Sequence, residues 1–598
     1  MFVLAATAAS LTAGAWAGAT EPTRRPNVIL ILTDDQGYGD LSCHGNPVLQ
    51  TPQLDRLYQQ SVRLTDFHVD PTCSPTRSAL MTGRYSTRVG VWHTVMGRHM
   101  PRSRERMMPQ IFAENGYATA IFGKWHLGDN FPFRPQDRGF QEVLMHGGGG
   151  VGQIPDYWGN DYFDDTYFHN GRPEKFTGYC TDVFFQEATR FIEANRERPF
   201  FVYLPTNAPH SPYRVGDQWS QPYASMVGDD AELAKFYGMI ANIDHNVGRL
   251  RRRLKELDLA DNTLLIFATD NGTARGATFS DYRGNDGKLV SGFNAGMRGR
   301  KGSPYEGGHH VPCFFYWPEG KLAGGRDVGG LSAHVDLLPT LIELCGLEQK
   351  QSVAFDGVSL RDALAGGDAI PAERILFAHH QELPDPEKHR FASVMQGPWR
   401  LILRNDRKDA QAPTAELYNV EEDAAQADDV IAQHPKIAAR LRTAYEDWWD
   451  GMSPDFDTPA EIVVGDRRQN PTHLTCFEWH SSRQWQQSAV HRGFEGNGPW
   501  TLRVARAGKY QITLRRWPEE VDAPITAAVA GRGAISADTA RLRVGTFDEQ
   551  RSVDETTRSV VFDVELPRGS TRLQTWLNGD DGATRGAYYV NVRRVGFD

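Results

Sequence analysis

The stretch Asn27-Val-Ile-Leu-Ile-Leu-Thr33, followed at once by Asp34 and Asp35, decides the fold. A continuous apolar run of strand length does not alternate, so it predicts a strand buried on both faces, as in a parallel sheet covered by helices. Two carboxylates at its C-terminal end stand where open α/β sheets hold ligands, and hard oxygen donors suit Ca²⁺ or Mg²⁺. Taken alone, the same pair also reads as an acidic turn facing solvent. The pattern recurs: Thr263-Leu-Leu-Ile-Phe-Ala268 ends in Thr269-Asp270-Asn271-Gly272. Two strands that each finish in oxygen donors are what one metal bridging neighbouring strand ends requires. Ala118-Thr-Ala-Ile-Phe122 and Pro199-Phe-Phe-Val-Tyr-Leu204 are further buried-strand candidates, and a helix is expected from about 230 to 257 with Leu233, Phe236, Ile240, Ile243, Val247 and Leu250 at helical spacing. Asp244 and His245 on that helix read as structural.

Between these runs lies Pro71-Thr-Cys-Ser-Pro-Thr-Arg-Ser-Ala-Leu-Met-Thr-Gly-Arg84. Pro75 suits the first turn of a helix, which puts Cys73 at a helix N-terminus where backbone N–H groups favour an anion. Arg77, one turn on, adds a permanent charge to the same face. A lone cysteine there also reads as a small buried residue. Polar groups again follow an apolar run at Gly123-Lys124-Trp125-His126-Leu-Gly128, and His210 follows Ala208-Pro209.

Together these segments resemble the type I sulfatases. The likeness rests on C-x-P-x-R at Cys73 to Arg77, the opening Asp34-Asp35-Gln36-Gly-Tyr-Gly-Asp40, G-K-W-H-L-G, A-P-H and the loop Met297 to Gly308, where Arg300 stands in place of a common Gly. It spans roughly residues 26 to 450. The resemblance implies an α/β, alkaline-phosphatase-like sandwich with helices on both sides of a large mixed sheet, and a small α+β subdomain after it. It implies that a maturation enzyme oxidises Cys73 to formylglycine, and that Asp34, Asp35, Asp270, Asn271 and the modified Cys73 hold Ca²⁺, with Mg²⁺ less suited. By the same resemblance, one hydroxyl of the hydrated aldehyde attacks sulfur, assisted by Asp270 and steadied by Arg77 and Lys124. Lys301 and His210 would bind sulfate and protonate the leaving oxygen, and His126 would take the proton of the second hydroxyl so that sulfate is released.

At 598 residues the chain is too long for one core. Expected divisions are a catalytic domain over 26–370, a small subdomain over 371–452, a linker at Ser453 to Pro459, and an accessory β-sandwich over 460–598. Strand-period alternation at Gly508 to Leu514 and Ser559 to Leu566 carries the last of these. That domain reads either as a glycan binder or as a structural appendage. A net charge of −10 with no long Lys/Arg block argues against a nucleic-acid protein. Residues Met1 to Ala19 read as a secretory signal, which makes the protein secreted or periplasmic, and no later run is long enough to span a membrane. The six cysteines are too scattered for a zinc site or a disulfide scaffold.

A sulfated glycan is the expected substrate, from the extra β domain and the Gly-rich aromatic loop His146 to Asp165, whose Tyr157 and Trp158 suit either a sugar-stacking wall or a packed surface loop. Small aryl sulfates fit as well. Trp92, His93, His99 and Tyr282 are candidate sugar contacts, and the basic run Gly97 to Arg106 reads as solvated surface. Two alternatives stand beside the sulfatase reading: a phosphomonoester or phosphonate hydrolase on the same scaffold, and a non-catalytic glycan-binding protein.

Overall fold

The computed structural model describes residues 25–276, 291–351, 353–405, 414–531 and 533–596; the expected signal at Met1 to Ala19 and Tyr282 lie outside them. A ten-stranded mixed sheet forms the centre of the catalytic half. Its middle consists of the adjacent parallel strands Thr263–Thr269, Asn27–Thr33, Phe200–Pro205, Ala118–Lys124 and Glu142–His146, so their C-terminal ends share one edge. Cys313–Tyr316 on one side and Thr166–His169 on the other run antiparallel to this block.

Every residue of Asn27–Thr33 is buried, and the pleat explains why the run does not alternate. Val28, Leu30 and Leu32 pack with Leu80 and Met81 of the helix Cys73–Thr82, Phe112 of Met108–Glu114 and Leu341 of Leu337–Leu344. Ile29 and Ile31 face the opposite layer, with Phe184 of the helix Cys180–Ala194 and Met239, Ile243 and Val247 of Ala231–Glu256. Helices on both faces of a mixed sheet are the expected architecture. The long helix starts where Asp230 accepts a hydrogen bond from the Leu233 amide, and Asp244 accepts from the Gln53 and Leu54 amides at the start of another helix, Pro52–Gln60. Asp244 is therefore structural, as expected.

Four antiparallel strands follow in sequence order, Ile375–His379, Ala392–Gln396, Trp399–Arg404 and Thr414–Asn419, covered by Leu441, Tyr445, Trp448 and Trp449 of the helix Pro435–Asp450. The C-terminal part builds two facing sheets. One holds Ile462–Val464, Trp500–Val504, Gly569–Asn578, Thr539–Val544 and Phe547–Ser552; the other holds Thr472–Thr475, Tyr589–Arg594, Gly508–Arg515 and Val560–Leu566. Inward residues such as Ile512 and Phe562 meet Trp479 and Trp500 in a common core.

That core does not close on itself. It continues into Val95, Met96, Met100, Phe133 and Ile154 of the catalytic half. This junction decides one open reading and corrects three expectations. Of the two readings of Trp158, a sugar-stacking wall or a packed loop, the packed one holds, because its ring stands edge-on to Trp517 with centroids 5.3 Å apart. The run Gly97 to Arg106 is not a solvated face: Arg98 donates to the Pro384 carbonyl, and buried Arg102 donates to the carbonyls of Arg88, Asp455 and Thr458. A rigid, always-charged guanidinium with several donors suits the closing of a junction from which water is excluded. For the same reason Ser453 to Pro459 is pinned rather than a free linker. Trp92, His93 and His99 are 2%, 1% and 0% exposed, which removes them as sugar contacts.

Truncation after about residue 455 uncovers this shared core, so the shortened chain should be insoluble or inactive even on a small aryl sulfate. A soluble fragment with full aryl sulfate turnover would show that the sheets merely accompany the catalytic half. All six cysteines are free, and among the described residues no helix is long and apolar enough to cross a membrane.

Candidate active site

The site forms where the parallel strands end. The Asp270 amide donates to the Thr33 carbonyl at 3.0 Å, and the Asp34 amide donates to the Ala208 carbonyl at 3.2 Å. These two bonds hold the turns beyond three adjacent strands together, so Asp34, Asp35, Asp270, Asn271 and His210 converge. Asp35 and His126 have φ of 64° and 60°, in the left-handed region that non-glycine residues avoid. Such backbone persists where the surrounding structure imposes it, and functional sites are a common place for it.

Cys73 opens the helix Cys73–Thr82 after extended Thr72. Its Sγ and one oxygen each of Asp34 and Asp270 lie within 4.8 Å of one another. Three cations surround these acids. Arg77 clasps Asp270 Oδ2 through Nε at 3.0 Å and Nη2 at 2.7 Å, Lys124 Nζ is 2.7 Å from Asp34 Oδ2, and Lys301 Nζ is 2.6 Å from Asp35 Oδ1. Lys301 reaches this position because its amide donates to the Thr273 carbonyl and that of Gly302 to the Pro71 carbonyl. Asp34, Asp270, Arg77 and Lys124 have no exposed side-chain surface, and ions persist there only when paired.

The oxygens left over fit a divalent cation. Asp34 Oδ1 and Asn271 Oδ1 are buried with no hydrogen-bond partner. Asn271 Nδ2 donates to Asp35 Oδ1 at 2.9 Å and to the Gly272 carbonyl, which fixes the amide with its oxygen free. Buried oxygens without partners are rare, and hard oxygens gathered beside two further carboxylates are the donor set that Ca²⁺ takes.

Burial raises the Cys73 thiol, so a free thiolate is disfavoured despite the helix N-terminus. Burial would lower the Lys301 ammonium, but Asp35 outweighs it and keeps the proton in place. Burial pulls His210 down to about 3 against the attraction of Asp35. Its Nδ1 donates to the Ser211 carbonyl, leaving Nε2 unprotonated at 3.9 Å from Asp35 Oδ2. Burial likewise holds His126 well below its ordinary value. His126 Nε2 donates to the Thr94 carbonyl at 2.8 Å, and Nδ1 is a buried lone pair without a partner.

The structure thus brings together all the site residues expected from sequence: Asp34, Asp35, Cys73, Arg77, Lys124, His126, His210, Asp270, Asn271 and Lys301. Two neighbours were missed. His146 pairs in register with Lys124 and keeps Nε2 buried and unpartnered; its signal was its place at the end of an apolar strand. Gln153 accepts from the Gly149 amide and carries the Gly-rich loop across the site, while Gln487 holds that loop from the C-terminal sheets by donating to the carbonyls of Gln153 and Asp156. The glycines here serve close packing. A Cβ on Gly149 would lie 2.3 Å from the His126 ring, and one on Gly123 1.9 Å from the Pro205 carbonyl oxygen. Gly149→Ala should therefore displace His126 and cost on the order of 10²-fold in kcat with the fold retained. Unchanged kcat in a well-folded variant would detach His126 from turnover.

The family model described as Sulfatase matches residues 26–347. The chain belongs to the sulfatase family. It is a sulfuric ester hydrolase. This sulfatase is 31% identical over 375 residues to the N-acetylgalactosamine-6-sulfatase of Canis lupus familiaris, which covers 59% of this chain and 67% of the relative. It is 32% identical over 403 residues to arylsulfatase A of Homo sapiens, covering 62% and 73%. Among solved structures, Ps i-CgsB in complex with k-i-k-neocarrahexaose matches with a TM-score of 0.62 and 28% identity, over 73% of this chain and 96% of that one.

Proposed function

We propose that this sulfatase removes sulfate from a sulfated glycan, with residue 73 converted to formylglycine and Ca²⁺ held by Asp34, Asp35, Asp270, Asn271 and the modified residue. The observation that carries this reading is the meeting of Cys73, Asp34 and Asp270 within 4.8 Å inside a ring of buried cations. A sulfate monoester is anionic and resists attack, so the site must neutralise its oxygens, bring a nucleophile and release an alcohol. The modified residue supplies an oxygen nucleophile, and the cation supplies charge neutralisation at the sulfate oxygens.

The chain's own side chains account for the rest. Arg77, anchored by Asp270 and by the Lys124 carbonyl at 3.0 Å, cannot turn to solvent, so its charge stays beside residue 73. Lys124 adds a second fixed charge. Asp270 Oδ1, whose partner is the Asp35 amide at 3.2 Å, is the acceptor for a proton leaving residue 73. Lys301 Nζ retains the proton that the leaving oxygen needs, with His210 Nε2 beside the same Asp35 to orient it. His126 Nδ1 is the base that remains unoccupied for the release step.

A glycan is favoured because the relatives include an enzyme named for N-acetylgalactosamine 6-sulfate and a structure that holds neocarrahexaose. The proposal extends to a formylglycine-generating partner, to export directed by Met1 to Ala19, and to units at 26–370, 371–452 and 460–598. Its test is the full matured chain: peptide mass across residue 73, with sulfate and phosphate release measured from matched aryl esters. Conversion at residue 73 with sulfate release well above phosphate release is expected. A phosphate preference would replace the reading with a phosphomonoester or phosphonate hydrolase on this scaffold, and binding of a sulfated oligosaccharide without turnover would leave only a glycan-binding protein.

A further inference from the structure

Behind His126, where the C-terminal sheets meet the catalytic half, His99, Asp129 and Glu478 each place one ligand atom within 4.8 Å of the others. Glu478 closes the short turn Cys476–Glu478; its Oε2 accepts from the Thr475 amide and hydroxyl at 3.0 and 2.9 Å, while its buried Oε1 has no partner. Asp129 Oδ1 accepts from the Gly148 amide at 3.1 Å. Neither ring nitrogen of fully buried His99 has a hydrogen-bond partner. Among the described residues no lysine or arginine is ion-paired with either carboxylate. A second histidine–glutamate cluster, His68, Glu306 and His309, differs on this point, because Arg400 Nε lies 2.7 Å from Glu306 Oε1 and already balances it.

We propose that His99, Asp129 and Glu478 bind a divalent transition-metal ion, Zn²⁺ by preference, which fastens the C-terminal sheets to the catalytic half. One imidazole nitrogen and two carboxylate oxygens match the three protein ligands of a tetrahedral Zn²⁺ whose fourth position takes water. Ca²⁺ and Mg²⁺ call for more oxygens than these residues present. Two carboxylates and the ion sum to zero charge, which removes the cost of burying both acids unpaired. A cavity of about 390 Å³ lined by Asp129, Thr475 and Glu478 supplies the water and the path of entry. The rings of His99 and His126 are 6.0 Å apart, and Phe477 packs against both, so the ion braces the wall on which His126 rests. This inference does not depend on the substrate or on the state of residue 73.

The test uses the full chain, stripped with chelator, dialysed against Zn²⁺ in the presence of Ca²⁺, desalted and analysed for metal. About one equivalent of zinc should remain in the wild type and in Asp34→Asn, and should be lost in Glu478→Gln. Co²⁺ loaded in place of Zn²⁺ should give the visible d–d bands of a tetrahedral nitrogen and oxygen site, a readout that needs no variant. No retained zinc, zinc undiminished in a folded Glu478→Gln protein, or a thiolate charge-transfer band that puts the cobalt on a cysteine would each overturn the proposal.

Discussion

Replacing Cys73 with alanine should reduce sulfate release by on the order of 10⁴-fold or more while the protein stays folded. The size follows from the role, because removing the group that attacks leaves only binding and charge stabilisation. The retained fold follows from the surroundings. The helix it opens is fastened by backbone, with the Thr76 amide donating to the Thr72 carbonyl, and by the Ser74 hydroxyl, which donates to the His126 carbonyl. Loss of one small sulfur costs about 1 kcal/mol. The check is sulfate release by ion chromatography beside a thermal melt of the same sample. Substantial activity in the folded variant would remove residue 73 from the chemistry and the formylglycine proposal with it.

Asp270→Ala should fail in both respects. Arg77 is fully buried and Asp270 is its carboxylate partner, so the change strands a guanidinium in the interior. Breaking one side of a buried pair costs about 3–5 kcal/mol. The same change deletes an oxygen from the proposed cation site. A cation that binds only the folded state raises the melting temperature as its concentration rises, so Ca²⁺ added after chelation should raise the wild-type midpoint. Asp270→Ala should melt well below Cys73→Ala and show a much weaker response to Ca²⁺. Asp270→Asn separates the two effects, since it keeps the volume and one acceptor while lowering the charge. A full Ca²⁺ response in Asp270→Ala would exclude this carboxylate as a ligand.

Much of the site was legible because its parts are local. Asn27–Thr33 and Thr263–Thr269 read as strands from their unbroken apolar runs, and each carries its acids directly beyond its last residue. Their pairing in register, Thr33 opposite Thr269, is what turns two sequence motifs into one basin. His146 was passed over because its position at the end of a short apolar strand shows its place beside Lys124 only once the two strands pair in register. The glycines at 147–150 read only as part of a Gly-rich loop, whereas Gly149 is small because the His126 ring occupies the space a Cβ would need.

By itself the sequence determined the buried strands, the acids at their ends, the helix that presents Cys73 and the family these imply, because periodicity and short motifs are properties of neighbouring residues. Only the tertiary structure decided that Arg102 closes a junction instead of facing water, that Trp158 packs on Trp517, and that Glu478 comes to stand beside His99. Those outcomes depend on which carbonyl, ring or acid arrives from a distant part of the chain. A contact of that kind leaves no period in the segment that makes it, since the partner's place is set by packing of whole layers and not by the residues nearby.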